Sequence, residues 1–229
     1  MVLRFIYKNM AWLLPLIAML LITPLTPSLD LAISHYFYDG TQSFTSNPLY
    51  TFMYKYGFVP ADALSALALV FFMLSFVIPY LKKWRAPFLV LFLTMAVGAG
   101  LIVHGILKDH WGRPRPKQVI EFGGSQAFRP YYQPNFFHQP EPSKSFSCGH
   151  CTAGFYFFAV ALVGRRLNSK PLFWIGIVLA LSLGILLSLT RMAQGGHFFT
   201  DTLASALVMW LTAYFCDKIV YFYAQRQNA

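Results

Sequence analysis

Long apolar runs alternate with polar loops along the chain. The runs cover approximately residues 10–26, 61–80, 86–107, 150–164, 171–190 and 201–222. A helix needs about 20 apolar residues to cross the hydrocarbon core of a bilayer, so each run predicts a transmembrane helix, although the fourth is a little short. The pattern therefore predicts an all-α membrane protein, with six transmembrane helices in one bundle and a single domain over residues 1–229.

The first run follows two cations, Arg4 and Lys8, and at first resembles a secretory signal peptide. No convincing small-residue cleavage site follows it and more apolar runs come after it, so we expect an uncleaved first helix. The loop at 27–60 is rich in Phe, Tyr, Ser and Thr, which is typical of chain that lies along a membrane interface. Within this loop we predict a short helix near residues 29–37.

The composition indicates that lipid is the solvent for much of the chain. Hydrophobic residues make up 57% of the sequence and charged residues 11%, against roughly 25% charged residues in soluble domains. The formal net charge is +10, which in a soluble protein would suggest nucleic acid as a partner. Here the cations stand in loops beside apolar runs, so topology and anionic lipid explain them better, and we expect no nucleic acid partner.

The positions of Lys and Arg in the short loops predict the orientation. They occur before the first run, in residues 82–85 and 165–170 and in the C-terminal tail, and the positive-inside rule places all of these in the cytoplasm. Residues 27–60, 108–149 and 191–200 then lie on the opposite face. The cations of the 108–149 loop break the rule, and we interpret them as retained for chemistry. We therefore expect a multi-pass protein of a bacterial inner membrane, with its active site facing the periplasm.

Two polar clusters stand where apolar runs meet the 108–149 loop. Lys108, Arg113 and Arg115 suit an anion of high charge, because Arg offers a planar fork to phosphate oxygens and Lys a point charge. Taken alone, this cluster fits a basic loop that touches lipid headgroups equally well. Gly149 and His150 begin the fourth run, where free backbone N–H groups and the helix dipole form an anion site and Gly149 allows close backbone approach.

A third cluster closes the fifth run with Arg191 and opens the sixth with His197 and Asp201. The i to i+4 spacing puts His197 and Asp201 on one helical face, where the carboxylate can hold one imidazole N–H and leave the other nitrogen free to attack. The alternative is a helix-capping Asp with an incidental His. Together the three clusters supply a cation cage, a nucleophile and an acid. This set suits phosphoryl transfer through a phosphohistidine and requires no metal or cofactor.

Other chemically interesting residues have simpler interpretations. Cys148-x-x-Cys151 has the spacing of a redox pair, but with Cys216 as the remaining cysteine we expect ordinary thiols. Asp62 and His104 lie in or beside apolar runs, and we expect satisfied interhelical polar groups in preference to the alternative, contacts with the substrate. Most of the polar residues that flank the clusters are expected to be solvated loop residues: Asp109, His110, Arg113, Lys117, Arg129 and Lys144.

The three clusters resemble the signature of the type-2 phosphatidic acid phosphatase superfamily of membrane lipid phosphatases. That signature reads Lys-x6-Arg-Pro, then Pro-Ser-Gly-His, then Ser-Arg-x5-His-x3-Asp. Residues 108–116 fit the first element and residues 191–201 the third. Gly149-His150 matches half of the second element, in which Ser147-Cys148 replaces Pro-Ser, and Thr190 replaces the Ser before Arg191.

The resemblance implies a role for each matching residue. His197 would be the nucleophile, Asp201 the carboxylate that orients it, and His150 the acid on the leaving group. The phosphate would be held by cations and by the chain around Gly149, namely Lys108, Arg115, Cys148, Gly149 and Arg191. At residue 148 a thiol stands where the family has a hydroxyl, unless Ser147 takes over that contact.

The resemblance implies a phosphatase acting on a lipid phosphate or diphosphate in the bilayer. Lipid A phosphate is slightly favoured, followed by undecaprenyl diphosphate or phosphatidylglycerol phosphate, with phosphatidic acid also open. One alternative is a phosphotransferase that passes the phosphoryl group to another lipid. A less favoured one is a non-catalytic phospholipid transporter or receptor, and a vanadate-dependent peroxidase is less favoured still. The phosphate position and the oligomeric state stay open.

Overall fold

The computed structural model describes residues 2–41, 43–45, 47–139 and 143–226, with side chains from residue 9 onward. The described residues are mostly helical and form no strand, only isolated bridges. The helices are α1 (Val2–Ile22), α2 (Thr26–Phe37), α3 (Pro48–Tyr56), α4 (Val59–Leu74), α5 (Arg85–Leu93), the π-helix (Thr94–Lys108), α6 (Gly149–Phe155), α7 (Phe158–Arg166), α8 (Lys170–Ala193) and α9 (Phe199–Arg226). The all-α fold class is confirmed.

Five helical segments are long and apolar enough to cross a membrane: Asn9–Phe37, Pro48–Leu74, Pro79–Lys108, Lys170–Ala193 and Phe199–Arg226. They correspond to the predicted helices one, two, three, five and six. Large apolar side chains are exposed along them, as expected for surfaces that face lipid. The cations at residues 4 and 8, which the orientation argument uses, lie outside the described side chains.

The predicted fourth helix is not among these five segments. It consists of two shorter helices, α6 and α7, joined by a turn at Tyr156 and Phe157. Nearly every residue from Cys151 to Val163 is buried, because α8 and α9 pack against both helices. The segment is therefore the centre of the bundle.

Glycines bring α6 and α8 into close contact. A Cβ atom built on Gly154 would lie 2.5 Å from the Cα and N atoms of Gly184, so the two backbones touch directly. A similar contact joins Gly176 of α8 to Ala161 of α7. Small residues at membrane helix interfaces permit this approach. This packing fixes the position of α6 along the axis of the bundle. It therefore also fixes the position of Gly149 and His150 at the start of α6.

Two predicted boundaries were wrong. The first helix does not end near residue 26, because a 3-10 turn at Thr23–Leu25 joins α1 to α2 and helical chain continues to Phe37. The polar side chains there are satisfied locally, for example by the 2.8 Å bond from Thr26 Oγ1 to the Thr23 carbonyl. The second segment begins at Pro48, capped by Asn47, whose side chain accepts a hydrogen bond from Leu49 N.

Candidate active site

The ends of several helices bring the three predicted clusters together. Lys108 ends the π-helix, His150 lies in the first turn of α6, and Arg191 lies in the last turn of α8. Direct electrostatic interactions link His150 with Arg191, His197 and Lys108, and link Lys108 with Arg115 and Arg191. Residues far apart in the chain thus form one polar site at one end of the bundle.

His197 is buried in the short loop between α8 and α9. Its Nδ1 donates a hydrogen bond to the Ser145 carbonyl at 2.6 Å, because a carbonyl can only accept. The Asp201 carboxylate is 3.7 Å from the same nitrogen, beyond hydrogen-bond distance. The Ser145 carbonyl is thus the nearest acceptor of the Nδ1 proton, and Asp201 interacts with the ring as a nearby carboxylate. The predicted role of Asp201 in orienting His197 stays a prediction. Nδ1 carries the proton, so Nε2 of the neutral ring has a free lone pair.

Burial controls the charge of His197. Removing the ring from water lowers its pKa from 6.5 to about 4, and the cations Arg191 and Arg115 act in the same direction while Asp201 opposes them. The imidazole is consequently neutral near pH 7. A neutral ring is the form that can act as a nucleophile.

Asp201 is fully buried and organises the loops around His197. Its Oδ2 accepts hydrogen bonds from Ser145 Oγ at 2.6 Å and from Phe198 N at 2.8 Å. Its Oδ1 accepts from Arg113 Nη1 at 2.5 Å. Because Ser145 also provides the carbonyl that binds His197, Asp201 acts on the imidazole mainly through Ser145.

Arg113 was expected to be a solvated loop residue, and this was wrong. Its side chain is 0% exposed and forms ion pairs with both Asp201 and Asp30. Thr200 accepts a further bond from Arg113 and donates its hydroxyl to Asp30, and the Phe198 ring lies 4.5 Å from the guanidinium carbon. This network fixes the start of α9 against α2. Arg113 lies within the first polar cluster, but nothing in the sequence around Asp30 indicates that the two residues pair.

Arg115 and Arg191 retain bonding capacity within the site. The Nε atom of each is buried and has no hydrogen-bond partner among the described residues. Arg191 Nη1 donates to Gln194 Oε1 at 2.8 Å, and a Cβ at Gly196 would collide with the Arg191 guanidinium. Unpartnered buried donors are costly. They fit a site that completes its bonding with an anion.

A second set of unpartnered groups lies just before α6 and near the end of α8. The hydroxyls of Ser147 and Thr190 are buried and lack a partner among the described residues, and Gly149 begins the helix. Cys148 was expected to offer a thiol, but it forms a disulfide with Cys151, and the expectation of free thiols at both positions was wrong. Ser147 is therefore the better candidate for the hydroxyl contact with phosphate.

Two aromatic residues that no sequence motif indicated pack against His150 and Arg191. The Tyr54 ring stacks on His150 at 4.7 Å between centroids and lies 4.7 Å from the guanidinium carbon of Arg191. Phe58 meets the His150 ring edge-on at 5.7 Å. Both aromatics come from the segment that contains α3 and α4. That segment therefore forms one wall of the site.

Comparison with known proteins agrees with this geometry. The model of the PAP2 superfamily matches residues 87–225, which include all three clusters. A lipid A 4'-phosphatase from Francisella tularensis subsp. novicida is 31% identical over 69% of this chain and 69% of its own length. A lipid A 4'-phosphatase from Rhizobium leguminosarum is 26% identical over 82% of this chain and 83% of its own. No solved structure matches the chain. The matched residues cover more than half of the sequence, and the chain belongs to the PAP2 superfamily, the type-2 phosphatidic acid phosphatases.

Proposed function

We propose that this protein is a membrane lipid phosphatase that removes a phosphate from lipid A through a phosphohistidine on His197. The carrying observation is the buried, neutral His197, whose free Nε2 lies in a site with unpartnered arginine donors. Membership of the PAP2 superfamily and relatives named as lipid A 4'-phosphatases support this substrate. They favour the 4'-phosphate as the one removed.

In the proposed mechanism, His197 Nε2 attacks phosphorus as the bond from phosphorus to the sugar oxygen breaks. His150, as its imidazolium, donates a proton to that oxygen, so the sugar leaves as a neutral alcohol. Burial and the nearby cations lower the pKa of His150 to about 4 in the free site, and the negative charge of the bound phosphate raises that pKa again. Lys108, Arg115 and Arg191 stabilise the charge of the pentacoordinate transition state. Water then attacks the phosphohistidine, and His150 takes up its proton, which releases inorganic phosphate and restores both histidines.

The chain is a multi-pass membrane protein, and its relatives are bacterial. We place it in the inner membrane, with the active site facing the periplasm. The cations of residues 82–85 and 165–170 support this orientation, because they lie at the end of the bundle opposite the site. Arg166, for example, forms an ion pair with the buried Asp217 near the end of α9.

Phosphate release by the protein purified in detergent tests the proposal. The substrate panel contains lipid A, undecaprenyl diphosphate, phosphatidylglycerol phosphate and phosphatidic acid. We expect release from lipid A, with the product mass and fragmentation showing loss of the 4'-phosphate. His197→Ala should reduce the rate by a factor of about 10³ or more, because the nucleophile is lost.

His138→Ala is the matched control, because His138 is an exposed histidine of the 108–149 loop whose hydrogen bonds are made by its backbone. It should leave the rate unchanged. A His197→Ala variant with full activity would contradict the proposed nucleophile. Transfer of labelled phosphate to a second lipid, in place of release, would instead establish a phosphotransferase.

A further inference from the structure

A cavity of about 210 Å³ opens beside the candidate phosphate site. Three predicted site residues, Lys108, Gly149 and His150, line one side of it. The volume is below the range of about 300–1,000 Å³ typical of complete small-molecule sites. The cavity therefore suits one part of a substrate, next to the acid that would protonate the leaving oxygen.

The far side of this cavity carries Asp62 of α4 and His104 of the π-helix. The two side chains interact electrostatically, and both residues are exposed although each lies within a membrane-spanning segment. No hydrogen bond joins the Asp62 carboxylate to another described side chain, so its interhelical interaction is the electrostatic one with His104. An ionisable residue at membrane depth is costly and indicates function.

The π-helix contributes four residues to the lining of the cavity: Met95, Ala99, His104 and Lys108. They face the cavity together because of the geometry of a π-helix. Met95 and His104 are nine residues apart, which is about two and a half turns of an α-helix and would put them on opposite faces. Hydrogen bonds to the fifth residue widen each turn, so nine residues complete about two turns and both side chains point the same way.

The ring of His104 has a defined orientation. Its Nδ1 donates a hydrogen bond to the Ala99 carbonyl at 2.8 Å, which leaves Nε2 as the ring nitrogen that points away from its own helix backbone. That nitrogen lies against the phosphate-binding turn, since a Cβ built on Gly149 would be 2.6 Å from His104 Nε2. The cavity thus presents the acceptor oxygens of the Asp62 carboxylate, with the His104 ring fixed beside them and next to the cationic site.

We propose that Asp62 and His104 form a subsite for the leaving group, which binds the hydroxyl or amide N–H donors of a sugar. The proposal rests on the proposed phosphatase activity and adds a basis for its specificity. Acceptors bind neutral hydroxyl groups well, whereas the Asp62 carboxylate repels an anionic leaving group. The pair therefore selects phosphomonoesters of sugar hydroxyls over lipid diphosphates, whose leaving group is itself a phosphate.

The test is Asp62→Asn, which removes the charge and keeps the shape. We expect kcat/KM for lipid A to fall about tenfold or more, the cost of losing a charge-assisted hydrogen bond, mainly through KM. Inhibition by inorganic phosphate should stay unchanged, because the phosphate cage is intact. His104→Gln should give the same pattern. Glu121→Gln, at an exposed carboxylate of the 108–149 loop, should change neither quantity.

Undecaprenyl diphosphate is the substrate for which we expect the opposite effect of Asp62→Asn. Asp62→Asn should raise its rate relative to that of lipid A, because the repulsion of the leaving phosphate is gone. An unchanged ratio of the two substrates, or an equal loss of phosphate inhibition, would overturn the subsite. If the wild-type protein hydrolyses lipid A and the Asp62→Asn substitution leaves the rates unchanged, only this inference fails. If the wild-type protein releases no phosphate from any lipid, the proposed function fails first.

Discussion

The protonation state of His197 gives a prediction at the scale of single residues. Burial lowers its pKa from 6.5 to about 4, so the ring stays neutral well below pH 6. We expect the acid limb of the pH profile of kcat/KM to reflect this value, with substantial activity at pH 5.5. An acid limb centred near pH 6.5 would contradict a buried, neutral nucleophile, since that is the value for a solvated imidazole.

The lowered pKa of His197 also makes the stability of the folded protein depend on pH. Between pH 6.5 and about 4 the unfolded chain binds a proton at His197 while the folded chain does not, so the free energy of unfolding falls as the pH falls. Above pH 6.5 the ring is neutral in both states and contributes no pH dependence. His197→Gln should therefore flatten the loss of thermal stability across this window.

Residues show where sequence reasoning succeeds and where it fails. His197 and Asp201 are four residues apart and were expected on one helical face, but His197 lies in the loop before α9, which begins at Phe199. Their 3.7 Å approach therefore depends on the fold of that loop and not on helix spacing alone. Arg113 and Asp30 are separated by 83 residues, and their pairing follows only from the packing of α2 against α9. The carbonyl of Ser145 was equally invisible, because any residue can supply a backbone acceptor.

At the scale of single helices, the apolar runs predict some features of the structure and miss others. Apolar runs identify the membrane segments, because burial in lipid demands them. They do not distinguish a π-helix from an α-helix, since Thr94–Lys108 is apolar on most sides. They also do not show that α6 and α7 form the centre of the bundle, where protein rather than lipid surrounds the chain.

The contact between α6 and α8 makes a prediction at the scale of elements. In Gly154→Ala the new methyl group would lie 2.5 Å from backbone atoms of Gly184, which cannot rotate away. We expect a loss of about 1–3 kcal/mol in the free energy of unfolding, as for other overpacked interfaces. Activity should also fall, because α6 carries Gly149 and His150.

Gly100→Ala is the matched control for thermal unfolding in detergent. It is also a helical glycine, but its added Cβ would come no closer than 3.8 Å to another atom, the Met95 carbonyl oxygen. Stability should stay the same or rise slightly, because alanine favours helices more than glycine does. Equal losses in both variants would mean that close packing of α6 on α8 does not set the position of the site.

At the scale of the whole molecule, polar residues occupy both ends of the helix bundle. We expect these ends to lie on opposite sides of the membrane, in one fixed orientation. The candidate site lies at one end, and the cations around Lys82 lie at the other. Single cysteines introduced as Lys144→Cys and Lys82→Cys, each in a Cys216→Ser background, report the two faces. Residue 144 is partly exposed, at 43% of its side chain, and residue 82 is exposed, so both are accessible to reagent.

In intact spheroplasts, a membrane-impermeant maleimide should label residue 144 and leave residue 82 unlabelled until the membrane is opened. Cys148 and Cys151 do not react because they are buried and joined to each other. The reverse pattern would place the site in the cytoplasm. The phosphatase would then act on lipid in the cytoplasmic leaflet rather than in the periplasmic leaflet. Labelling therefore decides which pool of substrate His197 can reach.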